Sequence, residues 1–217
     1  MRLQGSEMFP ALISMKKFEK KSVIFLGPAT DGLTGFDYSC LSAYDYVART
    51  NLFLNSDTTD YTLPENRCNI LCLNKYSFEV WKDQNLFEQY TDLIYVVKFD
   101  SHLEYLKSLQ LEAYSIQTIK QKIKKITKTE PYLGTAAINF LTTHFNVVDV
   151  NGFSFYSEGF GDKSKYIDGY VAYTTNSSGE ESLHSMCNDV KYLKSFINKN
   201  TNLQFLQPSV DLLTNYT

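Results

Sequence analysis

Residues 21–51 read KSVIFLGPATDGLTGFDYSCLSAYDYVARTN. The apolar run Val23-Ile24-Phe25-Leu26 is too short for a helix and stops at the turn signal Gly27-Pro28. Such a run suits an interior strand of a parallel sheet, covered on both faces. The loop that follows, Gly27-Pro28-Ala29-Thr30-Asp31-Gly32, stands where open α/β sheets hold ligands. There the backbone N–H groups beyond the strand ends can meet phosphate or ribose. The loop is neither a Walker loop nor a complete GxGxxG, and alone it reads equally well as a tight strand-to-helix turn. After a short helical turn, Tyr46-Val47-Ala48-Arg49 forms a second strand that ends at Thr50-Asn51.

The same alternation continues outward. Residues 69–73 and 92–99 read as buried strands, separated from the opening unit by a loop over 55–67 rich in Asp, Thr, Asn and Pro. Ser101 is the expected N-cap of a helix running to about Gln110, with Glu104 completing a capping box. Ile116, Ile119, Ile123 and Ile126 are spaced for an amphipathic helix ending near Lys128. Gly134, Ala136 and Ala137 give the helix over 133–145 a small, closely packing face, and residues 146–153 return as a strand. The polar stretch 154–179 reads as a long loop, and such loops in compact domains are usually functional or mobile. A helix over 180–199 and a tail interrupted at Pro208 complete the chain. The expectation is an α/β fold: a mostly parallel sheet with helices on both faces, Rossmann-like. One domain over 15–217 is expected, with 1–14 as an extension.

Composition narrows the partners. A hydrophobic share of 43% and a charged share of 21% are ordinary for a soluble globular chain. The net charge of −3 argues against nucleic-acid binding through bulk electrostatics. The basic run over 120–128 reads as a solvated helix face, with a local phosphate-binding face as the sharper alternative. Cys40, Cys68, Cys72 and Cys187 lack zinc spacing and fit reduced thiols in a cytoplasmic compartment. The residues at 1–14 carry no sustained apolar stretch, so no membrane insertion is expected.

Three segments, in order, resemble the motifs of the sialyltransferase family, over about residues 21–194. The family's long motif has a buried strand, a Gly-Asn loop and a D-x-V-x-R-x-N ending. Here Asp45, Val47, Arg49 and Asn51 match, while Pro28 replaces the first Asn. The short motif reads Pro-Ser-Thr-Gly, then a small-residue helix, a His and a strand ending in Gly-Phe. This chain has Pro131-Tyr132-Leu133-Gly134-Thr135-Ala136-Ala137, His144 and then Val150-Asn151-Gly152-Phe153. Tyr132 and Leu133 replace the two hydroxyl residues, and Thr135 offers a hydroxyl one position later. The last motif, His followed five positions on by Glu, corresponds to His184 and Asp189. The nearest candidate for the family's His-Tyr motif is Lys165-Tyr166.

The resemblance implies an inverting, metal-independent glycosyltransferase that takes its sugar from a nucleotide-sugar donor, specifically a CMP-sugar. It makes His184 the general base, because a sugar hydroxyl attacks well only when a neutral imidazole removes its proton. It assigns nucleotide contacts to Gly27, Pro28, Ala29, Asn51, Leu133, Gly134, Thr135, Phe153, Ser154 and Tyr166. His144 is read as structural, and His102 has no role. The mammalian members' disulfide has no counterpart, since the short-motif segment lacks a cysteine. With no stem or membrane anchor, the chain reads as a microbial or viral form acting in a cytoplasm, the host's if viral. The acceptor is a glycan or a hydroxylated base in DNA. A non-catalytic nucleotide-binding protein on the same fold, or a plain interaction module, are the competing classes.

Overall fold

Buried runs of β-branched, aliphatic and aromatic residues set the sheet in the computed structural model, which describes residues 16–28, 35–51, 67–153 and 186–206. The strands are β1 (Ser22–Leu26), β2 (Tyr46–Thr50), β3 (Ile70–Leu73), β4 (Ile94–Val97), β5 (Ala113–Ser115), β6 (Val147–Asn151) and β7 (Leu203–Phe205). They form one sheet in the order β5-β4-β3-β2-β1-β6-β7, and every pairing is parallel. β1 lies inside it, with Ile24 in register with Val47 on one side and Asp149 on the other. The chain steps outward from β1 to β5 and then returns to β6 on the far side of β1. That reversal puts a topological switch point between β1 and β6, where sheets of this kind open a crevice at their carboxyl ends.

Alternate residues of each strand feed opposite layers, as period-2 side-chain direction requires. Phe25, Ala48, Cys72, Val96 and Val150 face one core, covered by α4 (Gln117–Thr127), α5 (Leu133–His144) and α6 (Met186–Ile197). Leu71, Leu73, Tyr95 and Val97 face the other, under α1 (Lys75–Asp83), α2 (Leu86–Gln89) and α3 (Asp100–Ser108). The two covers differ in kind. Over β3 and β4 the filling is aromatic, with Phe78, Trp81 and Phe87 all nearly solvent-free. Over the centre it is small, with Ala136 and Ala137 fully buried, so that α5 lies close against the sheet. Next to α1–α3, the 3-10 turn at Tyr38–Ala43 places Leu41 on Ile24, Leu26 and Val47. Among the described residues no helix is long and apolar enough to cross a membrane.

Two local expectations need correction. Ser101 does not cap α3: the helix begins at Asp100, and Phe99 holds the cap position without a side-chain cap. The Asp100 N–H instead donates to Gln117 Oε1 at 3.0 Å, so the next helix supplies the acceptor. At α4, the N-cap residue Ile116 and Ile123 are buried as the spacing predicts, but Ile126 is exposed. Lys120 takes an inward position instead and is 5% exposed, because Glu130 meets its ammonium at 2.5 Å. The lysine run is therefore not a uniform solvated face.

Candidate functional site

The switch point is built from glycines around one aromatic ring. β1 runs into Gly27, whose N–H donates to the Asn151 carbonyl at 2.7 Å. A Cβ on Gly27 would lie 2.2 Å from the Gly152 oxygen and 2.7 Å from the Phe153 ring. A Cβ on Gly134, in the first turn of α5, would lie 2.7 Å from the same ring. Phe25 supports it from the sheet, with centroids 4.8 Å apart. Gly152 turns the chain with φ +71°. Gly27, Gly134 and Phe153, three of the expected site positions, therefore form one contact cluster at the carboxyl edge. The close approach that glycine permits is to the Gly152 carbonyl and the Phe153 ring at Gly27, and to the Phe153 ring at Gly134.

Asn51 ends β2 at the same edge, with φ +48°, a left-handed conformation that asparagine tolerates better than most residues. It is 4% exposed. Its N–H donates to the Cys72 carbonyl at 2.8 Å, and its Oδ1 accepts from the Asn74 N–H at 2.9 Å. The side chain thus ties the end of β2 to the entry of α1, where Asn74 Oδ1 in turn caps Ser77 N–H at 2.8 Å. With its oxygen engaged, the remaining polar group of the Asn51 side chain is its amide NH2, a donor.

The rest of the Asp45–Asn51 pattern has structural work. Asp45 sits at the amino edge, accepting from Lys21 Nζ at 2.8 Å and from Ser22 N–H at 2.9 Å. The hydrogen bond from Lys21 is the main reason that its carboxyl is held down at about 2. Arg49 is buried, its Nε donating to the Arg67 carbonyl at 3.0 Å. Arg67 itself donates to the Leu41, Tyr44 and Asp45 carbonyls, fastening the 3-10 turn to β2.

The start of α5 has no cap of its own. Asp189, in the first turn of α6, supplies one: its Oδ2 accepts from the Tyr132 N–H at 2.9 Å and from Thr135 Oγ1 at 2.6 Å. The Thr135 hydroxyl is therefore turned inward and engaged. Asp189 is 1% exposed, and its Oδ1 is buried without a hydrogen-bond partner among the described residues. Burial pushes its carboxyl up to about 6, against the opposing pull of the Thr135 and Tyr132 hydrogen bonds. At any helix start the first N–H groups lack intrahelical acceptors, so those of Leu133 and Gly134 form the anion-seeking part of this edge.

Pro28 follows Gly27 and is buried. His184, Ala29, Ser154 and Tyr166 lie outside the described residues. His144 is partly buried, with its ring 4.7 Å from Phe140, and burial lowers its pKa. His102 stacks on Phe78 with centroids 3.8 Å apart. Cys68 and Cys72 are held protonated by burial, Cys68 up at about 12. The described residues contain no group of three or more His, Cys, Asp or Glu arranged to hold a metal ion.

The arrangement also includes residues that no motif marks. Asn74 completes the link to Asn51, and Asp189 joins α6 to α5 through Thr135 and Tyr132, which lie 54 and 57 positions earlier in sequence. A further cluster of Lys98, Lys120, Lys124 and Glu130 stands just past β4. The only sequence signals for these contacts are a polar residue directly after a buried strand and the His184–Asp189 spacing.

No family model and no curated protein matches the chain. Solved structures do. One is described as the crystal structure of a mammalian sialyltransferase, at TM-score 0.54 and 10% identity, covering 95% of this chain and 81% of that one. Another is a mammalian sialyltransferase in complex with Gal-beta-1-3GalNAc-ortho-nitrophenol, at TM-score 0.54 and 12% identity, covering 90% of this chain and 72% of that one. At these identities the likeness is one of fold.

Proposed function

We propose that this protein is an inverting glycosyltransferase that moves a sugar from a CMP-sugar to an acceptor hydroxyl. The observation that carries the reading is the cluster of Gly27, Gly134 and Phe153 at the switch point, beside the first turn of α5, whose Leu133 and Gly134 N–H groups have no acceptor within the helix. The fold likeness to sialyltransferases supports it. In the proposed reaction the acceptor oxygen attacks the anomeric carbon as the bond from that carbon to the donor phosphate oxygen breaks. The acceptor proton passes to His184, and CMP leaves with the bonding electron pair. Charge growing on the phosphate is met by the Leu133 and Gly134 N–H groups and by the helix dipole behind them. The Asn51 amide donates to the nucleotide. Asp189 holds α5 to α6. Protein groups are proposed to stabilise the leaving group without a metal ion.

Substitution of the base separates binding from chemistry. His184→Ala is expected to retain CMP affinity while acceptor-dependent release of CMP from a CMP-sugar falls by about 100-fold or more. If the variant turns over normally, His184 is not the base.

A non-catalytic nucleotide-binding protein is the second reading. It is favoured by the loss of free hydroxyls at the α5 start, where Tyr132 and Leu133 stand and Thr135 is bonded to Asp189. On that reading neither wild type nor His184→Ala releases CMP from the sugar.

A further inference from the structure

Lys98 leaves the carboxyl end of β4 and is folded into a part-buried cluster, its side chain 15% exposed. Three ammonium groups converge there on one carboxylate. Glu130 Oε1 is 2.5 Å from Lys120 Nζ, Glu130 Oε2 is 3.4 Å from Lys124 Nζ, and Lys98 Nζ reaches Oε1 only at 4.0 Å. Phe99 lies beneath the pair, its ring centroid 4.7 Å from Lys120 Nζ and 5.8 Å from Lys98 Nζ. Burial would raise the Glu130 pKa, but its hydrogen bond from Lys120 and the surrounding charge hold it down, so the carboxylate is ionised. Burial first, and then the Lys120 charge, brings the Lys98 ammonium down to about 8.

The Lys120–Glu130 pair is a self-sufficient ion pair and explains why Lys120 is inside. It does not explain Lys98. A lysine can extend its flexible stem into water, and burying it beside a second ammonium is unfavourable for folding. A structure that nevertheless holds Lys98 there has a cation preorganised for an anion that arrives later. The location fits a ligand: the cluster lies on the carboxyl rim of the sheet, and Glu130-Pro131 leads directly into the α5 start. The cluster is nonetheless distinct from the switch point, because β3 and β2 separate β4 from β1.

We propose that Lys98, with Lys120 and Lys124, forms a second oxyanion subsite that binds a phosphate or carboxylate carried on a sugar. That this sugar is the acceptor rests on the glycosyltransferase reading, but binding of the anion does not. Both oxyanions accept from two ammonium groups at once, and either would supply the negative charge that Glu130 alone cannot.

The test is thermal unfolding of the full chain at fixed ionic strength with glucose 6-phosphate, glucuronate and uncharged glucose. Wild type, Lys98→Met, Lys124→Met and Asn51→Asp would be compared. At saturation a charged sugar is expected to raise Tm by about 2–4 °C while glucose does nothing. Lys98→Met should abolish the shift, Lys124→Met should reduce it, and Asn51→Asp should keep it. Which charged sugar acts more strongly tells phosphate from carboxylate. Titration of 13C-labelled lysine provides a check independent of stability: the Lys98 resonance should titrate at higher pH when the active sugar is bound. The proposal is overturned if neither charged sugar acts or if glucose acts equally. It is also overturned if Lys98→Met keeps the shift or Asn51→Asp loses it. Displacement of the charged sugar by duplex oligonucleotide at physiological salt would overturn it in favour of a DNA phosphate.

Discussion

Asp45 and Asp189 perform the same task at opposite edges of the sheet, in opposite environments. Each carboxylate accepts from a backbone N–H and a hydroxyl of another element. Asp45 does so at the amino edge, in the open, with Lys21 beside it, and its carboxyl is held at about 2. Asp189 does so inside the carboxyl edge with no ion-pair partner among the described residues, and its carboxyl is pushed up to about 6. The amino edge is assembled by pairs that strengthen the charged form. The carboxyl edge tolerates an isolated buried charge, a close glycine contact and a left-handed Asn51. Unfavourable features of this kind concentrate at functional sites, and here they collect on the side where ligands bind in such folds.

The sharpest way to break the comparison is to remove the ring that organises the carboxyl edge. Phe153→Ala is expected to cost about 3–5 kcal/mol in chemical denaturation. Gly134→Ala should cost about 1–3 kcal/mol by overpacking against that ring. In a Phe153→Ala background the same change should cost nothing, or gain up to about 1 kcal/mol from helix propensity. Additive effects in that cycle would show that the two residues do not touch.

Next in size is Asp189→Ala, expected to lose about 1–3 kcal/mol by leaving the Tyr132 N–H and the Thr135 hydroxyl unpaired. Asp189→Asn keeps an acceptor oxygen and removes the buried charge, so it should be more stable than wild type at pH 7. The pH dependence separates the two edges. The folded-state pKa of Asp189 lies above its unfolded value, so the folded state holds the proton more tightly. Its charge therefore opposes folding in full above about pH 6, and stability should rise as pH falls from about 6 toward 4. The gain is on the order of 3 kcal/mol and absent in Asp189→Asn. A wild-type profile that is flat or falls across that window would remove the claim of a buried charged carboxylate.

The smallest effect belongs to Asp45. Its folded pKa is depressed, so its contribution is present above about pH 4 and lost as pH falls toward 2. Asp45→Asn should change stability at pH 7 less than Asp189→Ala does, and should flatten the acid limb below pH 4. Urea midpoints measured from pH 2 to pH 7 report both carboxylates in one series.

The sheet could be read from the sequence wherever a strand is a continuous apolar run ending at a turn residue, as at Val23–Leu26 and in the runs around Ile70 and Ile94. The three-residue edge strands β5 and β7 are too short to show a period, and only pairing with β4 and β6 defines them. Helices α1 and α2 occupy the stretch between β3 and β4 that the pattern leaves unassigned, because α1 buries only Ser77, Phe78 and Trp81. The glycines of the switch point could be read because glycine marks close approach. What they approach could not, since Phe153 meets Gly27 from 126 positions away in the chain, through register and turns that no local pattern encodes. Lys120 shows the limit of periodicity: the isoleucine spacing puts the lysine run on the solvated face of α4, yet Lys120 is buried, and only Glu130, across a turn, makes that burial tolerable.

The central claim is a nucleotide site at the carboxyl edge, and Asn51→Asp tests it most directly. Aspartate keeps the oxygen that accepts from Asn74 and tolerates the left-handed backbone, but it replaces the amide donor with a charge that repels phosphate. Thermal stabilisation by CMP, CDP, UMP, UDP, GDP and AMP at equal concentration would be measured for both proteins. The account predicts a shift selective for CMP in the wild type that disappears in Asn51→Asp. No shift with any nucleotide, or a CMP shift that survives the substitution, would contradict it.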